Sequence, residues 1–177
     1  MVMLYSVRKV VDHYAACGST VNMCLLDLSK AFDKMDHFAL YLKLMDRSIP
    51  VQILNVIQNW FSLCLSCVKW GCVMSHFYEL KAGVRQGGVL SPIKFGIYID
   101  VLVELVKRTN IGYKIGATCT GIFLYADDII LLAPSVQALQ SLINVCESEL
   151  SSLCMSVNAK KSACLRFGPR HKILVSV

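Results

Sequence analysis

A pair of adjacent aspartates, Asp127 and Asp128, constrains this chain more than any other feature, because the pair interrupts an apolar segment. Residues 121–124 precede it and residues 129–133 follow it. Short apolar runs on both sides of a two-residue polar break predict a hairpin of buried strands. Burying two neighbouring carboxylates is costly unless a cation neutralises them. The pair therefore indicates either a turn that faces water, as aspartate often does, or a cation site, and this stretch alone leaves both interpretations open.

The composition predicts a folded domain with a substantial core. Hydrophobic residues make up 55% of the 177 residues and charged residues only 17%, which argues against disorder, and the length corresponds to one domain. The mean hydropathy of +0.55 is high, so we expect that chain absent from this sequence normally covers part of the surface. A membrane span is not expected, because the most helix-like apolar run, residues 93–106, is interrupted by three charged residues.

The N-terminus and the cysteines both indicate an intracellular protein, in the nucleus or the cytoplasm. Arg8 and Lys9 follow the first apolar residues, which is the wrong order for a signal peptide. Nine cysteines at scattered spacings predict reduced thiols. One group has a spacing that could ligate Zn²⁺, and its members are Cys64, Cys67, Cys72 and His76. The aromatic residues before Cys64 instead favour this cysteine as a core residue of a helix.

The net charge of +6 is concentrated at the C-terminal end. No acidic residue follows Glu149, whereas five basic residues do: Lys160, Lys161, Arg166, Arg170 and Lys172. Such a segment suits a polyanion such as nucleic acid. A solvated basic end without a partner explains the charge equally well.

Periodicity and capping signals predict an α+β domain in which a few antiparallel strands are backed by helices. Helices are expected at residues 37–47, 51–65, 92–107 and 136–153, with N-caps at Asp36, Ser91 and Ser135. Strands are expected at residues 21–26, 68–70, 77–80, 112–118, 120–125, 155–158 and 163–167. Residues 1–18 are expected to be helical or irregular. Residues 68–70 and 77–80 should pair as a hairpin, and the second helix should carry an apolar stripe from Ile53 to Phe61.

Asp27 adds a second acidic position to the Asp127–Asp128 pair. It follows the predicted strand 21–26 directly, a hundred residues before Asp127, and the carboxylates meet if the two strands are neighbours. Mg²⁺ prefers such oxygen ligands, and two Mg²⁺ ions can activate a hydroxyl and stabilise a leaving pyrophosphate. Residues 83–88 carry three glycines, which let the backbone approach a ligand closely. The segment could therefore line an incoming nucleotide.

Four segments resemble the palm motifs of reverse transcriptases, in the order of that family. They are Leu26–His37, Gly83–Pro92, Tyr125–Asp128 and Asn158–Ser162. Their order and spacing are similar to those of the non-LTR, LINE-type retrotransposons. The resemblance implies a reverse-transcriptase-like palm, a small antiparallel sheet backed by helices, with incomplete fingers and no thumb. It places residues 1–170 in a partial reverse transcriptase domain, and residues 171–177 in a C-terminal remnant.

The resemblance also implies roles for the acidic positions. Asp27 and Asp127 would bind two Mg²⁺ ions, with Mn²⁺ as a possible substitute, and the backbone carbonyl of Leu28 would assist one ion. Asp128 would belong to the same catalytic and metal-binding set, in a more supportive role from its adjacent position. Lys161, in preference to Lys160, would be the general acid for the pyrophosphate, although simple charge attraction is the alternative.

Further positions match the part of the family site that binds nucleotide and template. Phe32 would lie under the sugar and exclude a ribose 2′-hydroxyl, although ordinary core packing also suits a phenylalanine. Arg85, Gln86 and Gly87 would contact nucleotide and template. Tyr125 would lie near the primer end. Asp33 and Asp36 are expected to be turn and cap residues rather than metal ligands.

The implied activity is RNA-directed DNA polymerisation, the addition of deoxynucleotides to a primer 3′-hydroxyl on an RNA template. The implied partners are the RNA template, the DNA primer, deoxynucleoside triphosphates and the fingers, thumb and endonuclease regions of a longer polyprotein. We expect weak activity and marginal solubility from the isolated chain. A viral RNA-dependent RNA polymerase is one alternative, but it would need a small or polar residue in place of Phe32. A catalytically inactive nucleic-acid-binding remnant is the other.

Overall fold

The computed structural model contains helices and antiparallel strands. It describes residues 2–85 and 87–168, and of Val2 it describes the backbone only. The helices are α1 (Val2–Ala16), α2 (His37–Asp46), α3 (Val51–Ser62), α4 (Ser91–Thr109) and α5 (Val136–Ser152). The strands are β1 (Val21–Asp27), β2 (Leu65–Ser66), β3 (Lys69–Trp70), β4 (Val73–Met74), β5 (Tyr78–Glu79), β6 (Lys114–Ile115), β7 (Thr118–Cys119), β8 (Ile122–Tyr125), β9 (Asp128–Ala133) and β10 (Ala163–Phe167). The α+β class expected from the sequence is confirmed.

The chain divides into two compact units. Residues Ala31–Tyr98 form one of them. The chain up to Lys30 forms the other, together with the chain from Ile99 onward.

The larger unit is built on a four-stranded sheet in the order β10-β1-β9-β8, with every neighbouring pair antiparallel. Ile130 and Leu132 of β9 pack in one apolar cluster with Val7 and Val10 of α1. The residues that alternate with them point to the opposite face, and α5 also contacts β9 and β1. Because both faces of β9 are covered, its apolar run is nearly continuous, as in other buried strands.

Two of the three predicted helix caps are confirmed. The Asp36 carboxylate accepts a hydrogen bond from the Ala39 amide at 2.7 Å, and the Ser135 hydroxyl accepts one from the Ala138 amide at 3.1 Å. The cap predicted at Ser91 is wrong, because α4 already includes this residue. Its hydroxyl instead donates to the carbonyl oxygen of Arg85 at 2.7 Å, which ties the glycine-rich segment to the helix.

The smaller unit carries a β-arm, residues 64–80, whose pairing differs from the prediction. Residues 68–70 and 77–80 do not pair with each other. A two-residue turn that includes Gly71, at a φ of 60°, folds β3 directly onto β4, and the outer strands β2 and β5 pair around them. The arm therefore consists of two short nested ladders, because the tight turn at Gly71 places β3 and β4 next to each other.

Two further strand predictions are also wrong. The single strand expected at residues 112–118 is split, because Gly116 at a φ of 59° turns the chain so that β6 pairs with β7. The strand expected at residues 155–158 is reduced to an isolated bridge between Val157 and Leu28.

Helix α3 is shorter than predicted, and its apolar stripe is only partly covered. The helix ends at Ser62, and only Phe61 of its residues is buried, whereas Ile53 and Trp60 remain half exposed. Apolar periodicity identifies the face of a helix but does not supply the element that covers it.

The cysteines are all free thiols. Within the described ranges, no three His, Cys, Asp or Glu side chains form a group that could hold a metal ion, and this includes Cys64, Cys67, Cys72 and His76. No helix in the described part of the chain is long and apolar enough to cross a membrane.

Candidate active site

The three aspartates meet at one end of the central sheet. Strand β1 ends at Asp27 and strand β9 begins at Asp128, and these two residues are directly opposite each other in the sheet register. Asp127 lies in the turn between β8 and β9, after Ala126, which adopts a left-handed φ of 52°. That conformation costs a residue with a side chain roughly 1–2 kcal/mol, so the tight turn stores strain beside the carboxylates.

The electrostatics of the site follow from this convergence. Burial raises the pKa of the Asp128 carboxyl above its ordinary value, and the negative charges of Asp127 and Asp27 raise it further. Like charges placed directly opposite each other on antiparallel strands destabilise a sheet. The arrangement is therefore unfavourable without a neutralising group, and a proton or a cation relieves it.

The donor set fits a hard divalent cation that keeps part of its water shell. No group of three acidic side chains in the described ranges forms a ready-made cage, but Mg²⁺ is usually bound by one or two carboxylates together with waters and substrate phosphates. Carboxylate oxygens brought together at one point, where burial and repulsion raise the pKa of Asp128, supply that kind of site. A site of this kind is completed by waters and substrate oxygens and does not need a cage of protein ligands.

The backbone of Leu28 directly follows Asp27, the last residue of β1. Leu28 is buried and forms an isolated bridge with Val157. The bridge is made by the Ser29 amide donating to the Ser156 carbonyl and the Asn158 amide donating to the Asp27 carbonyl. Neither bond uses the carbonyl oxygen of Leu28.

Tyr125 and Lys161 belong to the same unit as the aspartates. Tyr125 is the last residue of β8, is directly opposite Asp128, and has 62% of its surface exposed. Lys161 is exposed in the turn that follows the Leu28–Val157 bridge, and its amide donates to the carbonyl of Asn158 at 3.1 Å. The turn also contains Ser162, the last residue of the fourth motif, for which the sequence predicted no role of its own. Its hydroxyl contacts the backbone of Asp27.

The other predicted site residues lie in the smaller unit. Phe32 is half-buried, with its ring centroid 5.0 Å from that of Phe95. Arg85 and Gly87 are exposed. Gln86, a predicted nucleotide contact, lies outside the described residues. The structure therefore gathers the predicted site residues into two groups, one in each unit.

Gly83 docks the glycine-rich segment on the connection that follows Phe32. The Gly83 amide donates to the Met35 carbonyl, and the Val84 amide donates to the Phe32 carbonyl, both at 2.8 Å. Gly83 has a φ of +85°, and a Cβ atom there would lie 2.9 Å from the carbonyl oxygens of Phe32 and Asp33. Only glycine fits this close approach.

A cavity of about 550 Å³ lies beside this docking point, lined among others by Asp33, His37, Trp60 and Arg85. The His37 ring is stacked on Phe61 with centroids 3.9 Å apart, and its Nε2 lies 2.7 Å from the Gly83 carbonyl oxygen. His37 therefore links α2 to the glycine-rich segment. The sequence did not predict this role for His37, which lies in the first motif directly after the Asp36 cap.

Comparison with known proteins identifies the family. Residues 4–172 match the family described as reverse transcriptase (RNA-dependent DNA polymerase). The chain is 30% identical over 154 residues to the Pol polyprotein of the type-2 retrotransposable element R2DM of Drosophila melanogaster. The aligned region covers 87% of this chain and 14% of that protein. It is also 30% identical over 153 residues to the RNA-directed DNA polymerase from mobile element jockey of Drosophila funebris, covering 81% of this chain and 16% of that protein.

Solved structures show the same fold at low sequence identity. Telomerase from Candida albicans, in complex with a fragment of telomeric RNA, aligns with a TM-score of 0.69 at 16% identity, covering 91% of this chain and 29% of that one. Apo telomerase from Candida tropicalis aligns with a TM-score of 0.68 at 17% identity, covering 93% of this chain and 34% of that one. The curated relatives are several times longer than this chain, and the match to the family extends over nearly all of it. The chain belongs to the reverse transcriptase (RNA-dependent DNA polymerase) family.

Proposed function

We propose that this chain carries the polymerase site of an RNA-directed DNA polymerase from a non-LTR retrotransposon. The observation that carries the proposal is the convergence of Asp27, Asp127 and Asp128 at one end of the central sheet, with a raised pKa at Asp128. Membership of the family supports the reaction class, the transfer of a nucleotidyl group to a primer 3′-hydroxyl.

The carboxylates have separate roles in this proposal. Asp27 and Asp127 hold two Mg²⁺ ions, which Mn²⁺ could replace, and the Leu28 carbonyl assists one of them. When bound, such ions lower the pKa of the primer hydroxyl and neutralise the charge that develops on the pyrophosphate. Asp128, whose carboxyl has a raised pKa, adjusts the charge beside the ligands. Lys161 donates a proton to the leaving pyrophosphate, and its exposed position leaves its amine accessible.

The predicted residues of the smaller unit are assigned to nucleotide and template binding. Phe32, held against Phe95, provides a rigid wall under the sugar that excludes a 2′-hydroxyl. The segment with Arg85, Gln86 and Gly87 contacts nucleotide and template, and its anchoring through Gly83 supports a fixed position. Tyr125 contacts the primer end, which its exposed side chain permits.

The partners that we propose follow from this activity. They are an RNA template, a DNA primer, deoxynucleoside triphosphates and the remaining fingers, thumb and endonuclease regions of a longer polyprotein. Residues 1–170 are assigned to the reverse transcriptase domain, and the C-terminal residues 171–177, which lie outside the described residues, to a remnant beyond it. We assign the protein to the nucleus or the cytoplasm, where its nucleic-acid partners occur.

Primer extension on an RNA template with Mg²⁺ tests the proposal, comparing the parent with Asp127→Asn. We expect weak extension by the parent and a loss of at least about a hundredfold in the variant, since each metal ligand contributes several kcal/mol to the transition state. Nucleic-acid binding, measured on the same samples, should be similar for both proteins. Equal extension, or binding without any extension by the parent in the presence of its polyprotein regions, would indicate a nucleic-acid-binding protein without polymerase activity.

A further inference from the structure

The backbone of Asp27 is held on one side by the turn formed by residues 158–162. The Asp27 amide donates to the Ser162 hydroxyl at 3.2 Å, and the Asp27 carbonyl accepts from the Asn158 amide at 2.8 Å. The Ser162 hydroxyl in turn donates to the Asn158 carbonyl at 2.9 Å. We infer that Ser162 is a positioning residue that orients Asp27 for metal binding, an inference that rests on the proposed function of the aspartates.

The reason for this arrangement lies in the edge of the sheet. Strand β10 pairs with β1 only as far as Leu25 opposite Ala163, two residues before Asp27. The amide and carbonyl of a strand residue point to the same side, so both polar groups of Asp27 face an edge that β10 no longer covers. The Ser162 hydroxyl and the Asn158 amide take the place of the missing strand.

Because Ser162 bonds the Asp27 backbone where β10 no longer pairs, it also affects where the Asp27 carboxylate lies. Because the Asp27 backbone is bonded on the β10 side, its pairing with Asp128 on the other side is of the non-hydrogen-bonded type, in which opposed side chains lie closest. A shift of the Asp27 backbone away from the turn would therefore change the separation of the carboxylates. Hydrogen bonds that support a metal ligand commonly decide its orientation in this way.

Ser162 acts through Asp27 and not by contact with the cation. Its hydroxyl accepts one hydrogen bond and donates another. Removing it takes this partner from the Asp27 amide, whereas the Asn158 carbonyl still accepts from the Lys161 and Ser162 amides. Threonine retains the hydroxyl, whereas alanine removes it with little change in volume. Comparing the two variants therefore distinguishes the effect of the hydroxyl from the effect of side-chain volume.

Direct binding of Mn²⁺ to the full chain, followed by electron paramagnetic resonance, tests the inference. We expect Ser162→Ala to bind Mn²⁺ about tenfold more weakly than the parent, as is typical when a residue supporting a ligand is removed. Ser162→Thr should restore the affinity. Ser135→Ala is the matched control, because it also removes a hydroxyl that accepts from a backbone amide, but at the start of α5 and not beside an aspartate. It should bind Mn²⁺ like the parent.

The outcomes distinguish this inference from the function on which it rests. Equal Mn²⁺ affinity of the parent and Asp127→Asn would overturn the proposed metal site and, with it, the inference. A loss in Asp127→Asn with no loss in Ser162→Ala, or equal losses in Ser162→Ala and Ser135→Ala, would overturn the inference alone.

Amide hydrogen exchange in the parent gives a readout that does not depend on how the variants fold. The Asp27 amide should exchange slowly, at a rate comparable with the paired amides of β1, because Ser162 protects it. Exchange at the rate of an unprotected amide would contradict the hydrogen bond and overturn the inference.

Discussion

Asp27 and Asp128 face each other across β1 and β9 as a non-hydrogen-bonded pair, because the backbone polar groups of Asp27 are directed to the opposite side, toward the turn at residues 158–162. In such pairs the Cα atoms are about 4.5 Å apart and the side chains are closest. Two carboxylates in this position repel each other. The sheet therefore concentrates negative charge at the point where the proposed reaction needs a cation.

The raised pKa of Asp128 predicts how stability depends on pH when no divalent metal is present. The folded state holds a proton at pH values at which the unfolded chain has released it, so the folded state binds more protons and its stability falls as the pH rises from the ordinary value of 3.8 through the raised pKa. Asp128→Asn removes this dependence. The variant should be more stable than the parent at neutral pH, by about 0.5 kcal/mol, and the difference should shrink at low pH in denaturant unfolding with a chelator. A difference that is constant with pH would contradict the prediction.

A divalent metal ion should offset the repulsion between the carboxylates and so stabilise the folded state. Mg²⁺ at a hundred times its dissociation constant should stabilise the parent by about 2.7 kcal/mol if only the folded state binds it. Asp27→Asn should remove most of the effect, because a neutral amide replaces a metal ligand. Thermal unfolding with and without Mg²⁺ measures both values. The same increase in both proteins would mean that the metal binds elsewhere.

Gly83→Ala should strongly destabilise the protein. The positive φ alone costs roughly 1–3 kcal/mol for a residue with a Cβ, and the Cβ would also lie 2.9 Å from two carbonyl oxygens. Gly96→Ala is the matched control, because Gly96 lies within α4 and a Cβ there has open space. That change should stabilise the helix by about 0.5–1 kcal/mol. Urea unfolding of the two variants measures the contrast, and similar effects would show that the close approach at Gly83 is not rigid.

Phe32→Ala should allow the use of ribonucleotides. Removing the ring opens the space that the proposed wall occupies, so incorporation of ribonucleoside triphosphates should rise by at least about tenfold relative to deoxynucleotides, corresponding to about 1.4 kcal/mol of lost discrimination. Phe77→Ala, at an exposed phenylalanine of the β-arm, is the control and should leave the ratio unchanged. Single-nucleotide incorporation opposite an RNA template measures the ratio of ribonucleotide to deoxynucleotide incorporation. A parent that already accepts ribonucleotides would favour a role for Phe32 in packing alone.

Local chemistry determined much of the fold. The polar break at residues 127–128 between apolar runs predicted the β8–β9 hairpin, and the short polar side chains of Asp36 and Ser135 predicted the starts of α2 and α5. These features depend on interactions between residues a few positions apart, such as a cap with the amide three residues later. The interactions that stabilise the hairpin and the caps can therefore be recognised in the sequence.

Tertiary structure decided the features that depend on distant partners. Sequence periodicity could mark an apolar stripe on α3 but could not show that Ile53 and Trp60 remain half exposed. It could suggest a strand at residues 155–158 but not that the pairing would be limited to one bridge, between Val157 and Leu28. Ser162 gained its contact with Asp27 across 135 residues of sequence, because β10 ends before it reaches that position. Pairing of strand edges and burial of side chains depend on which segments meet in space, and no local pattern contains that information.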